Sequence, residues 1–344
     1  MLNQTHVLRA WGRIVQGYRP ILSIEITSRC PLSCPGCYAY QPNHVGGTAL
    51  ELIAEQRGQD LVRGVLDLAA KHRPMLVSIV GGEPLVRYRE LSALLPELCP
   101  KVMRVEVVTS AVRPIPTEWR RLENLVIVVS VDGLQPEHDA RRKPATYERI
   151  LAHIEGWRIF VHCTVTGQMA RTPGYLEAFV RFWSARPEVD NIRLSLFTPQ
   201  VGEIRDEVLR PEERQRIVDD LRPLLERFPK LELTRPMLDA YLRPPQSPDK
   251  CIFSQVTTCV SPDLQTLVVP CQLGGTPDCS RCGCAAAAGF EAVGRATVAG
   301  LRLGAIFRVS RGVGSFLNRV RTAVIPTSSS LDIKKSPETT GETS

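Results

Sequence analysis

The stretch LSIEIT (22–27) followed by SRCPLSCPGCY (28–38) decides how this chain folds. Apolar and polar residues alternate in the first part, which predicts a β-strand. The second part places Cys30, Cys34 and Cys37 in a loop with C-x3-C-x2-C spacing. Because a [4Fe–4S] cluster is normally held by four thiolates, a loop with three leaves one iron open to another ligand. A partial zinc site is the alternative that this spacing alone allows.

Beyond this loop, segments with helical and strand periodicity alternate as far as residue 197. We predict strands at 22–27, 76–80, 104–109, 125–131, 158–165 and 191–197, and helices at 50–72, 87–98, 117–121, 145–156 and 173–185. About six βα units in succession indicate a parallel sheet, either doubly wound or closed into a full or partial barrel. In both architectures the active site lies at the carboxyl ends of the strands.

Composition and charge favour a globular protein with a nearly neutral body. The 344 residues are 43% hydrophobic, which is enough for a sizeable core and a smaller appended domain. No apolar run reaches the ~18 residues of a transmembrane helix, and the polar start lacks the charged region of a signal peptide, so we expect a cytoplasmic protein. The formal net charge of +7 is concentrated in residues 291–325, which carry six arginines and one glutamate. We expect no nucleic-acid partner.

The eleven cysteines fall into groups rather than being spread evenly. Three lie at 30–37, six lie at 251–284, and Cys99 and Cys163 stand alone. In a chain without an export signal, this grouping argues against a disulfide framework and for metal ligation. We expect the two isolated cysteines to be buried as small apolar side chains.

A second motif, Gly81-Gly82-Glu83-Pro84, follows the next predicted strand. Paired glycines at a strand end let the backbone approach a ligand closely, and the carboxylate that follows is placed for a cationic group. The three-cysteine loop after the first strand and GGEP after the second together resemble the core pattern of the radical S-adenosylmethionine (SAM) superfamily. An ordinary tight turn is the alternative for the glycines.

This resemblance implies a partial (β/α)6 barrel, a cofactor set and a reaction. The three cysteines of the loop would bind three irons of a [4Fe–4S] cluster, and SAM would chelate the fourth. The methionyl ammonium of SAM would lie against Gly81, Gly82, Glu83 and Pro84. SAM would be cleaved reductively to methionine and a 5′-deoxyadenosyl radical, which abstracts hydrogen from a substrate. An external electron donor such as flavodoxin or ferredoxin is implied as well.

Two further strand ends carry parts of the same pattern. Residues 129–133 and 138–142 are similar to the S-x-D-G and H-D-x-x-R segments of peptide-modifying members. The resemblance implies that Ser130 approaches the SAM ribose and that Arg142 approaches the SAM carboxylate. Thr109 stands where many members have a Thr-Asn-Gly ribose turn. A plain turn and a solvated arginine pair are the alternatives.

One position of the cysteine loop departs from the family pattern. Members usually have an aromatic residue immediately before the third cysteine, whereas here that residue is Gly36 and the aromatic Tyr38 follows the cysteine. The departure concerns the contact that the family makes with adenine and leaves the cluster ligands unchanged.

The six cysteines near the C-terminus form a second candidate centre. The segment from Cys259 to Cys271 resembles the opening hairpin of SPASM or twitch extensions, with Leu264 where the family has a glycine. The resemblance implies one auxiliary [4Fe–4S] cluster. Its ligands would be Cys271, Cys279, Cys282 and one of Cys251, Cys259 and Cys284. A structural zinc site that uses four of these residues is the alternative.

The segments around these motifs suggest the domain organisation. We expect an N-terminal extension at 1–20, a radical SAM core at 21–210, linker helices at 211–249, a twitch-like region at 250–290, a basic amphipathic segment at 291–325 and a disordered tail at 326–344. In the basic segment, one helical face would carry Ile306, Val309, Val313, Leu317, Val320 and Val324, opposite Arg308, Arg311 and Arg319. We expect this helix to dock on the barrel with its arginines solvated; a helix lying on a membrane surface is the alternative.

These observations predict a radical SAM enzyme that acts on a peptide or protein, with a lipid or another small metabolite left open. We expect the strand-end residues 164–166 and 198–200 to face the substrate. The rival hypothesis is a non-enzymatic zinc or iron–sulfur protein that binds nucleic acid or a protein partner through its arginine segment.

Overall fold

A seven-stranded parallel sheet forms the body of the molecule. The computed structural model describes residues 4–298 and 300–324, with side chains over 8–298 and 300–317. The strands are β1 (Ile21–Glu25), β2 (Leu76–Val80), β3 (Arg104–Thr109), β4 (Leu125–Ser130), β5 (Ile159–Val165), β6 (Val189–Leu196) and β7 (Thr257–Val260). Their order is β6-β5-β4-β3-β2-β1-β7, and every neighbouring pair is parallel. The predicted α/β class and partial-barrel strand order are confirmed.

Helices follow most strands, as the alternating pattern predicts. They are α1 (Gln4–Val15), α2 (Gly58–His72), α3 (Tyr88–Leu98), α4 (Gln135–Arg142), α5 (Tyr147–His153), α6 (Gly167–Ala170), α7 (Tyr175–Ser184), α8 (Pro211–Leu221), α9 (Leu224–Arg227), α10 (Arg235–Leu242), α11 (Ile252–Val256), α12 (Ala285–Arg295) and α13 (Leu303–Val324). A short antiparallel pair, β8 (Thr297–Val298) and β9 (Leu301–Arg302), lies between the last two helices. Among the described residues, no helix is both long and apolar enough to cross a bilayer.

The apolar core lies between the sheet and its helices. Alternate residues of β5, from Ile159 to Val165, are fully buried in this core, as are Phe179 and Trp183 of α7. The isolated Cys99 and Cys163 belong to the same core and are 2% and 1% exposed, which confirms their prediction as small buried side chains.

The other face of the sheet is concave and carries polar side chains. Arg193 on β6 donates from Nη1 and Nη2 to the two carboxylate oxygens of Glu106 on β3, both at 3.0 Å. These strands are separated by β4 and β5, so the ion pair spans the inside of the curved sheet. A buried ion pair needs near-ideal geometry to offset the cost of desolvation, and this bidentate arrangement provides it.

Two predicted boundaries differ from the structure. The helices at 211–242, expected as a linker, bury Ile217, Leu221, Leu238 and Tyr241 in the main core. Thr257–Val260, expected within the twitch-like region, is a strand of the main sheet and pairs with β1. Both segments have apolar residues on one face, and burying those faces binds them to the barrel. The expected tail at 326–344 lies outside the described residues.

Helix α13 docks through a face that the sequence analysis did not predict. Phe307 is buried, whereas Val309 and Val313 of the predicted docking face are 70% and 46% exposed. At Gly314 a Cβ would lie 2.1 Å from the carbonyl oxygen of Ile14, so this glycine lets α13 approach α1 closely. The predicted face is therefore wrong, because close backbone approach at a glycine, not apolar periodicity, decides which side packs.

Candidate active site

The carboxyl ends of β1 and β2 position the three-cysteine loop. The backbone N–H of Gly82 donates to Thr27 O at 2.7 Å, and that of Glu83 donates to Arg29 O at 2.8 Å. A Cβ at Gly81 would lie 2.5 Å from Thr27 O, and one at Gly82 would lie 2.2 Å from Arg29 O. Only glycines allow this backbone contact. The paired glycines thus fix the start of the cysteine loop.

Glu83 and Thr109 contact each other at the carboxyl ends of β2 and β3. Glu83 is 1% exposed, and its Oε1 accepts from Leu85 N at 2.9 Å and Thr109 Oγ1 at 2.5 Å. Its Oε2 accepts from the backbone N–H and the hydroxyl of Ser110 at 2.7 and 2.5 Å. A buried carboxylate needs such donors. The Glu83 side chain thus joins β2 to β3, and the contacts of Glu83 and Thr109 with SAM stay predictions.

Glu55 holds the backbone just before the cysteine loop. Its Oε1 accepts from Ser28 N at 2.6 Å, Ser28 Oγ at 2.7 Å and Thr27 Oγ1 at 2.9 Å. Its Oε2 forms an ion pair with Arg87. Burial alone would raise the pKa of Glu55, but the hydrogen bonds from Ser28 and Thr27 and the charge of Arg87 lower it to about 2. The carboxylate therefore stabilises the folded loop in its ionised form.

Glu55→Gln should destabilise the chain in a way that depends on pH. Because the pKa of Glu55 is lowered on folding, to about 2, its contribution is complete above its ordinary value near 4.5 and is lost as pH falls through the folded-state pKa. We expect a loss of roughly 2 kcal/mol at neutral pH. Urea unfolding of the metal-free chain at pH 7 and pH 3 should show a smaller difference at the lower pH. Glu51→Gln, at an exposed residue of the same segment, is the control; equal losses for the two variants would contradict this role.

The three thiols face partly buried surroundings. Burial raises the pKa of all three, that of Cys30 to about 11, and the neighbouring cysteines raise the pKa of Cys30 further. Leu32 N donates to Cys30 Sγ at 3.4 Å. The three thiols are therefore protonated in the metal-free chain, and a bound metal would have to displace their protons.

Asp132 and Arg142 form a buried ion pair next to this loop. Arg142 Nη1 donates to Asp132 Oδ2 at 2.8 Å, and Arg141 Nε donates to the same oxygen at 3.3 Å. Burial alone would raise the pKa of Asp132, but the charges of Arg142 and Arg141 hold it below its usual range. The positive charge of Arg142 also opposes the rise in the pKa of Cys34. Arg142 Nε is buried with no hydrogen-bond partner among the described residues, which fits an anionic group at this position.

Ser130 lies on the concave face, in register with His162 of β5. His162 Nε2 is 2.8 Å from Ser195 Oγ, and the same oxygen accepts from Ala285 N at 3.1 Å. Burial lowers the pKa of His162 to about 4, so the imidazole is neutral at neutral pH. The concave face next to Ser130 is therefore tied directly to the start of α12.

The ring of Phe197 occupies the space beside Gly36. Gly36 has φ +66°, and a Cβ there would lie 2.9 Å from Phe197 Cε2. Phe197 is 4% exposed and follows β6, with its N–H donating to Val165 O at 2.8 Å. Tyr38 instead packs beside His44, with ring centroids 5.7 Å apart. An aromatic ring thus lies where a side chain at residue 36 would begin, and the segment after β6 supplies it.

The second cysteine group covers the carboxyl end of β6. Leu196 N donates to Gly283 O at 2.8 Å, and Gly283 N donates to Thr198 Oγ1 at 2.8 Å. Pro199 O accepts from Asp278 N at 2.8 Å. Residues 198–200, which we expected to face a substrate, therefore contact the cysteine segment. In the described part of the chain, no three His, Cys, Asp or Glu side chains converge closely enough to hold one metal ion.

A buried arginine anchors this cysteine segment. Arg214 of α8 is 8% exposed, and its Nη1 donates to Tyr241 O at 2.8 Å and Cys282 O at 2.9 Å. Its Nη2 donates to Arg281 O. Burial lowers the pKa of Arg214, and Cys282 acts in the opposite direction. A buried cation held only by carbonyl oxygens is well matched to an anionic neighbour.

Cys259 packs in an apolar cluster and is close enough to Cys271 for the two thiols to interact. It is 6% exposed and belongs to an apolar cluster with Ala39, Val45, Leu50 and Val268. The predicted hairpin is present, since Val268 N donates to Cys259 O at 3.0 Å. Leu264, at the family's glycine position, has φ +62°. Its side chain packs against Gly64, where a Cβ would lie 2.5 Å from Leu264 Cδ1. Burial against Gly64 compensates for the unfavourable backbone conformation.

His44 connects the two cysteine groups. Its Nε2 is 2.6 Å from Glu25 Oε1 at the end of β1, and its Nδ1 is 3.2 Å from Leu273 O. Gly274 closes over the ring, because a Cβ there would lie 2.3 Å from His44 Nδ1. The first loop and the second cysteine segment therefore share one buried hydrogen-bonded contact.

Sequence reasoning assigned no role to His44, Phe197 or Arg214. A lone histidine, a phenylalanine at a strand end and an arginine in a helix lack any distinctive spacing. The glycines could have given a signal: Gly36 beside a family aromatic position and Gly274-Gly275 after Cys271 both imply that another side chain fills the space.

The fold and the site can now be compared with known proteins. Residues 24–177 match the family model described as Radical SAM superfamily. This segment is a radical SAM domain. The matched segment contains the three-cysteine loop, GGEP and Ser130, and domains of this family use a [4Fe–4S] cluster and SAM. No curated protein is a significant match in sequence.

Two solved radical SAM structures show the same fold at low identity. SuiB of Streptococcus suis, bound to its precursor peptide SuiA, has a TM-score of 0.55 and 14% identity over 78% of this chain and 63% of SuiB. Native anSMEcpe with bound AdoMet and Kp18Cys peptide has a TM-score of 0.52 and 16% identity over 85% of this chain and 84% of that one. This chain thus spans less than two thirds of the length of SuiB.

Proposed function

We propose that this chain is a radical SAM enzyme that modifies a peptide or protein. We propose further that it carries a second [4Fe–4S] cluster. The observation that carries the proposal is the position of the second cysteine group. It is hydrogen-bonded to the end of β6 and, through His44, to the first cysteine loop. A second redox centre beside the first can take up the electron that remains when a substrate radical becomes a closed-shell product.

The resemblance of residues 129–133 and 138–142 to peptide-modifying members supports a peptide as substrate. SuiB and anSMEcpe, whose structures contain peptides, have the same fold. A lipid or small metabolite is the second candidate, since the C-terminal segment is basic and amphipathic. The electron for each turnover would come from a flavodoxin or ferredoxin.

Within the site, each group of residues has a proposed task. Cys30, Cys34 and Cys37 would bind the first cluster; when bound, cluster and SAM supply a 5′-deoxyadenosyl radical that takes hydrogen from the substrate. The unpartnered Nε of Arg142 would bind the SAM carboxylate, held in place by Asp132. A buried ion pair of opposite charges is stabilising only when its geometry is fixed in this way, because desolvation of the charges is costly.

The remaining SAM contacts would come from backbone and from two strand ends. The carbonyl groups of Gly81 and Gly82 would receive the ammonium group, Pro84 would end the turn, and Ser130 would meet the ribose. Phe197 would supply the aromatic contact for adenine in place of a side chain at residue 36.

For the second cluster we propose Cys271, Cys279 and Cys282 with one of Cys251, Cys259 and Cys284. Cys251 and Cys259 both lie close enough to Cys271 to raise its pKa. Burial raises the pKa of Cys279 to about 11, with Cys282 and Cys251 adding to the rise, so these thiols are close enough to interact.

Anaerobic purification followed by iron and sulfide analysis tests this proposal. We expect about eight irons per chain for two clusters. With dithionite and SAM, the enzyme should form 5′-deoxyadenosine, and a peptide encoded beside its gene should lose hydrogen by mass spectrometry. Zinc without sulfide would contradict the clusters. Turnover that a lipid extract stimulates and peptides do not would contradict the peptide substrate.

A further inference from the structure

Two segments of the chain that contain no acidic residue lie side by side in the fold. Residues 1–24 contain three arginines and residues 292–324 contain six, and neither segment contains Asp or Glu. These nine charges exceed the formal +7 of the whole chain, so all other residues together have a formal charge of −2. The net positive charge of the chain therefore comes from these two segments.

Helices α1 and α13 bring these two segments together. Trp11 Nε1 donates to Ser310 Oγ at 2.8 Å, and Gly314 meets the backbone of Ile14. Phe307 and Ile14 are buried in one small apolar cluster. This contact fixes which face of α13 turns inward, and hence which face turns away from the body.

The outward face of α13 carries an exposed apolar stripe. Val309, Val313, Phe316 and Leu317 are 70%, 46%, 63% and 45% exposed. Their spacing puts them on one side of a helix, opposite Phe307 and Gly314. A contiguous apolar surface of this kind marks an interaction site more often than it marks chance exposure.

Arg308 is exposed at one edge of the stripe. The side of the helix that faces α1, away from the stripe, borders a groove of about 330 Å³ lined by Arg19, Arg311 and Gln255. Arg311 Nη1 donates to Gln255 Oε1 at 2.8 Å, and Arg19 Nη1 donates to Thr257 O at 3.0 Å. In the part of the chain with described side chains, neither guanidinium forms an ion pair with a carboxylate.

We propose that this α1–α13 platform, defined by the stripe Val309, Val313, Phe316 and Leu317 with Arg308 at its edge, docks the chain on a membrane surface that contains anionic phospholipid. The stripe enters the interfacial region and Arg308 meets the phosphates, while Arg19 and Arg311 in the groove behind add to the positive potential. Charge distinguishes this occupant from a second copy of the chain, because two platforms facing each other would bring unneutralised arginines together. The proposal is independent of the peptide substrate.

Flotation with lipid vesicles tests the platform on the iron-loaded full chain. We expect binding to vesicles of phosphatidylcholine mixed with phosphatidylglycerol, and little binding to phosphatidylcholine alone. Phe316→Ser should weaken binding about tenfold and Arg308→Gln several-fold. Binding should also fall as salt is raised, since the charge contribution is screened.

Two matched controls lie outside the platform. Ile204→Ser removes an apolar side chain that is 95% exposed, and Arg63→Gln removes an arginine of α2 whose side chain is 71% exposed; both should bind as the parent does. Absent binding to anionic vesicles, or equal binding to neutral ones, would overturn the proposal. So would a Phe316→Ser variant that changes from dimer to monomer by mass photometry, because a second copy would then cover the stripe.

Discussion

Cys34→Ala is expected to abolish formation of 5′-deoxyadenosine, with at least a hundredfold loss, while the second cysteine group keeps its iron. A three-thiolate loop has no spare ligand, since Cys30 and Cys37 already take the other two positions. Iron should fall from about eight to about four per chain. Liquid chromatography of reactions with dithionite and SAM, together with iron and sulfide analysis, gives both quantities.

The matched control for this variant is Cys99→Ala. Cys99 is 2% exposed in the apolar core, away from both cysteine groups. Its replacement should leave the iron content and the 5′-deoxyadenosine yield unchanged. A Cys34→Ala enzyme that still cleaves SAM would refute the proposed ligand set, and one that loses all of its iron would mean that the two centres do not load independently.

Arg214→Met is expected to release the second cluster and leave the first in place. Methionine fills much of the same volume but donates no hydrogen bond, so the carbonyl groups of Tyr241, Arg281 and Cys282 lose their donor. Each buried carbonyl left without a partner costs about 1 kcal/mol or more, so we expect about 3 kcal/mol of lost stability. Iron analysis and electron paramagnetic resonance of the reduced enzyme should show the first cluster alone.

Arg216→Met, two residues further along α8, provides the control. Arg216 is exposed, and the substitution changes the same helix without touching the cysteine segment. It should keep both clusters and nearly all of the stability. If Arg214→Met also retained both clusters, the guanidinium would not be needed to hold the Cys279–Cys282 turn.

The sequence was sufficient for the parallel sheet and for the edge of the sheet that bears the site. Period-two strands such as 22–27 and 76–80 and the helices after them follow from local patterns that burial then reinforces. The glycine pair at 81–82 was recognised for its freedom of backbone approach. The structure shows that the partner is the backbone of the cysteine loop, which no local pattern could specify.

Side-chain roles that depend on distant partners were less accessible. Thr109 and Ser110, which donate to Glu83, lie 26 and 27 residues away in sequence, and no local pattern indicates this contact. The docking face of α13 was predicted from apolar periodicity, and Gly314 against Ile14 decides otherwise. In both cases the contact is made with a residue that is distant in sequence and close only in the folded chain.

Strand β7 has a consequence for the order in which the enzyme is made. It pairs with β1, the strand that leads into the three-cysteine loop, and it begins only at Thr257. Until the ribosome has produced that residue, β1 remains an open edge of the sheet, with unpaired N–H and C=O groups. The first loop also lacks Leu273, the acceptor for His44, until still later. The first loop is therefore fully enclosed only after residue 273 has been added to the chain.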